Sequence, residues 1–389
     1  MVKVGFRAIN GTEWVAGINY LRNLLYALSQ LEDKTIATVL FIGKKYNSEI
    51  FQLLLKNTLI VKTSLFDRMS LLWFAQRCCE KILRRNILFN RLIKKYNIDV
   101  LSHTAIVKSA ISSCKIINWI ADFQHIKLPE MFSKEEIILR NKQNLRIIKE
   151  SDIILLSSRD AFNDCMRFAP EYVNKMRVLP FVCFINPKIY EENKIEKLKN
   201  QYGFKGKYFY LPNQFWQHKN HKTVFEAVNI LKQQNKNVLL ICSGLVNDYR
   251  NKSHIMQLKY FIEENRLTNN IKILGLIDYD DVMHLIRHCV SLINPSLFEG
   301  WSSTVEEVKS LGKNVILSDI NVHREQNPPA SIYFSPFDKY GLSEILWEKW
   351  NNSTGGPDFE LERIAQRNLQ ERVIQFAEQY RDIVLEVVA

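Results

Sequence analysis

Glu299 and Glu307 stand eight positions apart in NPSLFEGWSSTVEEVKSLGKNVILSD. Such a carboxylate pair can supply an acid and a nucleophile for hydrolysis, or it can accept hydrogen bonds from vicinal hydroxyls. The surrounding elements decide what the pair meets. The apolar run CVSLIN (289–294) is short and bounded by Pro295, as a buried parallel strand should be. Gly300 permits a tight turn after Glu299. Ser303 is the expected helix cap, with Glu306 returning the bond in a capping box. Gly312 closes that helix and VILS opens the next strand. One carboxylate is thus expected in a crevice loop and the other on the first helical turn behind it, beyond the carboxyl end of a strand. Ligands of open α/β sheets bind there. The N–H groups of Ser302, Ser303 and Thr304 are expected to face the same crevice and to favour an anion such as a diphosphate. Two carboxylates beside an anion must contact something neutral, and sugar and ribose hydroxyls are the natural partners.

A second block, LPNQFWQHKNHKTVFEAVNIL, ends a strand at Leu211. A polar loop and a helix with apolar Val224, Ala227, Val228 and Leu231 at helical spacing follow. Lys219 therefore sits at a strand's carboxyl end beside a helix start, where a Lys is a compact point charge for phosphate. The alternative is an ordinary solvated Lys. Asn213, Gln214, His218 and Asn220 are neutral donors in the same loop. Gly275, Leu276 and Ile277 follow the strand IKILG at a similar sheet end. Nearer the amino terminus, Gly17 opens a helix after NGTEWVA, and Asp122 and His125 share a polar loop after KIINWI. A helix-start Gly or a lone loop His is often only structural.

Strand-like and helix-like segments alternate almost throughout, with helices expected near 47–56 and over about 66–97 among others, which predicts α/β architecture with parallel sheets. At 389 residues the chain suits two domains. A hydrophilic stretch over 190–207 separates the halves, so the expected boundary lies at its start: 1–189, then 190–364, with a last helix over 365–389. The net charge of +12 implies an anionic partner. Seven Cys, an odd count without C-x-x-C spacing, argue against a zinc site or a disulfide framework and suit reduced thiols in the cytoplasm. The amino terminus enters a strand at once, with no long apolar signal region. No apolar run approaches the roughly 20 residues of a membrane span.

The segment GLIDYDDVMHLIRHCVSLINPSLFEGWSSTVEEVKSLGKNVILSD resembles the signature of glycosyltransferase family 4, in which two glutamates follow Pro-Ser-x-x-Glu-Gly. Here these are Pro295, Ser296, Glu299, Gly300 and Glu307. The resemblance extends more weakly over nearly the whole chain. It implies the GT-B fold: two Rossmann-like domains facing a cleft, with a carboxyl-terminal helix crossing back to the first. It implies retaining transfer of a hexose-type sugar from a nucleoside-diphosphate sugar to an acceptor hydroxyl, as in surface polysaccharide or lipid-linked glycan assembly. Glu299 would orient the sugar, Lys219 would meet the leaving diphosphate, and Asp122 or His125 would contact donor sugar or acceptor. Glu307 would hold the ribose, the backbone at Gly275, Leu276 and Ile277 the base, and Gly17, Asn213, Gln214, Gly300, Ser302, Ser303 and Thr304 the rest of the donor. Two positions depart from the pattern. Gln214 stands where relatives have an Arg, and Ala16-Gly17 where they have a Gly pair. No cofactor or metal is expected, since the nucleotide sugar is a co-substrate.

Residues 61–100 hold nine Lys or Arg against three Asp or Glu. Bulky apolar and basic residues interleave over 73–95, which suits an anionic membrane surface and a protein peripheral on the inner face of the cytoplasmic membrane. The alternative is a core-packed helix with a solvated basic face. A nucleotide-sugar epimerase of similar architecture would use a similar donor. An RNA- or carbohydrate-binding module is the non-enzymatic alternative. No RNA-recognition motif or aromatic base platform is present, so no nucleic acid is expected.

Overall fold

The computed structural model describes the chain except for residues 9–14, 47–57, 84, 112 and 249; for Val15 and Ala16 it describes the backbone alone. The helix expected near 47–56, the loop before Gly17 and Arg84 therefore lie outside the described residues. The chain divides into two compact units.

The first unit comprises Met1–Ile126, Ser133–Cys183 and Gln370–Ala389. Its sheet contains β1 (Val2–Arg7), β2 (Ile36–Ile42), β3 (Thr58–Lys62), β4 (Val100–Ser102), β5 (Lys115–Ile120), β6 (Ile153–Leu156) and β7 (Met176–Val178). The order is β3-β2-β1-β4-β5-β6-β7, and every pair is parallel. Helices α1 (Val15–Ser29), α2 (Leu71–Leu83), α3 (Ile87–Lys95), α4 (Lys134–Glu150) and α5 (Arg159–Phe168) belong to this unit. The long helix expected over 66–97 is two helices, α2 and α3. Asn86 breaks the run with non-helical backbone, and its side-chain oxygen accepts a bond from Gln76 at 2.5 Å.

The second unit comprises Lys127–Phe132 and Phe184–Leu369. Its strands are β8 (Phe209–Leu211), β9 (Leu240–Cys242), β10 (Ile271–Ile273), β11 (Leu292–Asn294), β12 (Val315–Ser318) and β13 (Ser331–Phe334). They form a parallel sheet of order β10-β9-β8-β11-β12-β13. Both sheets thus repeat the doubly wound order, and in the second the order reverses between β8 and β11. The helices are α6 (Ile195–Tyr202), α7 (His221–Gln233), α8 (His254–Glu264), α9 (Tyr279–His288), α10 (Ser303–Leu311), α11 (Asn321–Gln326) and α12 (Lys339–Asn352). One apolar layer, with Val224, Phe225, Val228 and Leu231 of α7 and Leu342 and Leu346 of α12, packs around β8 and β9. A second layer holds Met283 and Ile286 of α9 and Val305, Val308 and Leu311 of α10. The strand expected over 289–294 is only three residues long. β13 carries no strong sequence signal, because SIYF is a short, half-exposed strand with Pro336 two residues beyond its end.

The last helix, α13 (Phe359–Val388), is continuous, and its residues from Gln370 on belong to the first unit. There Phe376, Tyr380 and Val384 are buried at helical spacing, and Arg381 pairs with Asp33 at 2.6 Å. The start of α13 is anchored in the second unit. Arg287 of α9 makes a bidentate pair with Glu362, at 2.8 and 3.1 Å, with both side chains buried. A third bond runs to the carbonyl of Ile189 at 2.9 Å. Arg287→Ala leaves a buried carboxylate without its partner, which costs about 3–5 kcal/mol. Chemical denaturation should show this loss, and an unchanged midpoint would mean that the pair contributes nothing net.

Candidate active site

The two loops of interest leave neighbouring strands at the point where the second sheet reverses. β8 ends at Leu211 and leads to Asn213–Lys219; β11 ends at Asn294 and leads to Glu299. A crevice opens at such a point because the chains leaving the two strands run to opposite faces of the sheet. Lys219 Nζ lies 2.6 Å from Glu299 Oε1, and both side chains are largely buried. The same oxygen accepts a bond from Ser296 Oγ at 2.7 Å. Burial alone would raise the Glu299 pKa, but the Lys219 charge and these two bonds hold it below its ordinary value. Glu299 is thus an ionised carboxylate.

Asn294 ties the loops together. Its oxygen accepts from Asn213 Nδ2 at 3.0 Å and from Ser296 Oγ at 2.8 Å, and its amide donates to Ser302 Oγ at 2.9 Å. The Asn213 oxygen in turn receives Thr304 Oγ1 at 3.5 Å. The Asn213 side chain is therefore a brace inside the unit. The Leu297 N–H donates to the His218 carbonyl at 2.8 Å, and Asn220 donates to the Pro295 carbonyl at 3.1 Å. On the other side, Asp248 accepts the Gln217 N–H at 3.1 Å and pairs with Arg250 at 3.2 Å. The Arg250 guanidinium lies between the rings of Trp216 and Phe132, 5.0 and 5.2 Å from their centroids. The turn carrying Lys219 is thus held from both flanks.

The helix cap differs from expectation. Ser302, not Ser303, caps α10, accepting the Val305 N–H at 3.4 Å. Gln326 of α11 closes a reciprocal pair on Ser302. It accepts the Ser302 N–H at 3.2 Å and donates to the Ser302 carbonyl at 2.9 Å. It also donates to Glu306 at 3.4 Å. The Ser302 N–H is therefore committed within the protein, which moves the anion-binding reading to the turn at Ser303 and Thr304. The capping box fails because Ser302 already presents an oxygen in the cap position and Glu306 has a partner in Gln326. Glu307 falls in the second turn of α10, buried, where Tyr279 OH donates to Oε1 at 3.0 Å. Burial pushes its pKa up to about 7, and Tyr279 only partly opposes this.

Gly275 follows β10 with φ +74, and its carbonyl accepts the Gly244 N–H at 2.8 Å. Leu276 beside it is exposed and Ile277 half-buried. Gln214 is half-buried, and Gly300 follows Glu299 in the loop. The remaining sequence candidates belong to the first unit. Gly17 is buried in the first turn of α1. Asp122 accepts the Gln124 N–H at 2.9 Å, starting the short helix Gln124–Lys127. His125 is buried, bonded through Nε2 to Asn141 at 3.0 Å, and burial lowers its pKa. Within the second unit, Lys219, Glu299, Asn213, Ser302 and Thr304 are joined by one network of hydrogen bonds.

Residues 194–338 match the family model for glycosyl transferases group 1. This part of the chain is thus a glycosyl transferases group 1 domain. The chain's solved structural relatives span the whole molecule. A glycosyltransferase from Rickettsia africae is 15% identical at a TM-score of 0.65, covering 100% of this chain and 97% of that one. HepE from Anabaena, solved with UDP and glucose, is 15% identical at a TM-score of 0.66, covering 99% and 100%. The lipopolysaccharide outer core galactosyltransferase WaaB is 13% identical at 0.62, covering 99% of both chains. These likenesses identify the fold as GT-B. No curated protein matches the chain's sequence.

Three partners in the site are not legible in the sequence. Tyr279 lies 28 positions from Glu307, and Gln326 lies 24 from Ser302. Asp248 lies 31 from Gln217. No local spacing announces such contacts. In the first unit, His103 follows β4 with φ +58 and is half-buried. It bonds to Tyr20 OH at 2.8 Å and to Ser102 Oγ at 2.7 Å. A left-handed non-glycine residue at a strand end is visible only in the backbone.

Proposed function

We propose that the protein transfers a hexose-type sugar with retention from a nucleoside-diphosphate sugar to the hydroxyl of a glycan or lipid-linked acceptor. The observation that carries this is the buried Lys219–Glu299 pair at the reversal point of the second sheet, with Glu307 on the helix that follows. A uridine donor is the first candidate, since HepE, of like fold, was solved with UDP-glucose. Surface glycan assembly is the first context, since WaaB acts in the lipopolysaccharide outer core.

In this reading the bond between the anomeric carbon and the diphosphate oxygen breaks, and the acceptor oxygen bonds to that carbon on the same face. The acceptor proton passes to the departing phosphate, so no protein base is required. Lys219 holds one proton toward Glu299 and has two further N–H donors for the diphosphate, whose charge grows in the transition state. The turn at Ser303 and Thr304 adds the positive end of α10. This charge is supplied by the protein, without a metal ion. Glu299 Oε1 is occupied by Lys219 and Ser296, which leaves Oε2 for a sugar hydroxyl. Glu307 takes the ribose hydroxyls, while the backbone at Gly275–Ile277 borders the base.

Incubation with UDP-, GDP- and ADP-sugars, with and without glycan acceptors, tests the proposal. Nucleoside diphosphate released in step with a glycosylated acceptor is the expected result. Isomerised nucleotide sugar without acceptor would identify an epimerase instead.

Glu307 predicts a pH dependence. Ribose hydroxyls prefer the ionised carboxylate, while the free protein protonates it with a pKa of about 7. Donor binding should therefore release a proton, and affinity should rise up to about tenfold between pH 6 and 8. Calorimetric titration of Glu307→Gln should show weaker, pH-independent binding, and a flat profile in the parent would remove Glu307 from the donor site. Stability runs the other way. The folded pKa lies above the ordinary carboxylate value, so Glu307's contribution is complete below about pH 4.5 and is lost as pH rises through about 7.

A further inference from the structure

Helix α2 is amphipathic the wrong way round for water. Its residue facing the protein is polar: Gln76 is buried, donating to Asn86 at 2.5 Å and to Glu80 at 3.1 Å and accepting the Leu88 N–H at 3.1 Å. Its apolar residues face out. Leu71 is 89% exposed, Ile82 78%, Leu83 53% and Phe74 44%. Leu71, Ala75, Cys78 and Ile82, all exposed, fall at i, i+4, i+7 and i+11, a single stripe along the helix. Met69, just before the helix, is 69% exposed. Arg77 and Lys81 flank the stripe on the Phe74 side, and Arg68 and Arg85 stand at its two ends, all exposed. Among these, Arg77 has an acidic partner, Glu80, at 3.1 Å. Helix α3 is built the ordinary way, with Phe89 and Ile93 buried in the core and Arg91, Lys94 and Lys95 in solvent. The basic stretch over 73–95 therefore splits: its second half is a core helix with a solvated face, and only its first half presents apolar surface.

We infer that α2 is an interfacial helix that lays its Leu71–Ile82 stripe into the headgroup region of an anionic lipid bilayer. An exposed apolar stripe this long marks a docking surface. The basic residues around it select a negatively charged partner, and a helix of this pattern lies in the interface plane rather than spanning it. No described helix is long and apolar enough to cross a membrane. The inference goes beyond the donor chemistry and does not depend on it.

Flotation of the full chain with vesicles of phosphatidylcholine alone, and of phosphatidylcholine with phosphatidylglycerol, provides the test. Binding to the anionic vesicles at low salt and release at high salt are expected. Substituting Arg77, Lys81 and Arg85 by Gln should weaken binding roughly a hundredfold, at about fivefold for each charge removed. Leu71→Ser with Ile82→Ser should abolish it. These side chains are exposed, so folding, donor binding and turnover on a soluble acceptor should persist. That separates failure here from failure of the proposed reaction. Indifference of the parent to anionic vesicles at low salt would overturn the inference, as would full binding by both variants. So would a dimer in sedimentation that only the Leu71 and Ile82 substitutions dissolve, since the stripe would then belong to a second copy.

Discussion

Lys219→Ala is expected to lower kcat by about 10²- to 10³-fold, the loss typical of removing one preorganised donor from a site of developing charge. Ground-state affinity for the donor should fall less, because the leaving diphosphate carries more charge in the transition state than in the bound sugar nucleotide. The substitution has a second consequence that geometry dictates. Glu299 sits 9% exposed with Lys219 as its ion-pair partner. Without that charge, burial raises the Glu299 pKa and favours the neutral acid. The variant should therefore be less stable, by on the order of 3–5 kcal/mol at the upper end for a broken buried pair. Its kinetics must be read well below its melting temperature. Lys219→Arg, which keeps a charge on a longer planar group, should recover part of the turnover. Parental kcat in folded Lys219→Ala would remove Lys219 from the reaction.

Gly244→Ala should damage the same site from behind. Gly244 has φ +143, a conformation that side-chain-bearing residues rarely adopt. A Cβ there would lie 2.4 Å from the Asn213 carbonyl oxygen and 2.9 Å from the Gln214 amide. Both are backbone atoms of the loop that leads to Lys219, and that loop is pinned to Asn294 and Pro295. It cannot yield without shifting Lys219 from Glu299. Backbone strain and overpacking each cost about 1–3 kcal/mol, and a displacement of about 1 Å at a charged positioning group can cost around a hundredfold in rate. Stability and turnover should therefore fall together, measured by thermal unfolding and steady-state kinetics on one sample. A fully active, equally stable variant would show that the loop after β8 has freedom the packing denies.

The fold was legible because its signals are local and repeated. Short apolar runs alternate with helical periodicity, and Gly312 and the helix-start residues mark most boundaries to within a few positions. The misses have local causes. Asn86 breaks a run that reads as one helix, because its polar side chain serves Gln76 instead of continuing the turn. SIYF is too short and too exposed to announce a strand. In the site, the positions of Glu299 and Lys219 at strand ends could be read directly, since each follows a short apolar run. The bracing could not. Ser302 with Gln326, Glu307 with Tyr279 and Gln217 with Asp248 are contacts between elements, set by how helices lie on the sheet. The outward stripe of α2 was half-legible. Interleaved apolar and basic residues are visible in sequence, but the direction of the helix depends on Gln76 facing inward.

A crystal structure with the nucleoside diphosphate that binds most tightly in the donor panel tests the central claim most directly. The account predicts a phosphate oxygen about 2.8 Å from Lys219 Nζ, the second phosphate near the turn at Ser303 and Thr304, and the ribose hydroxyls on Glu307. A nucleotide bound elsewhere, with Lys219 Nζ still on Glu299 and no phosphate beside it, would contradict it.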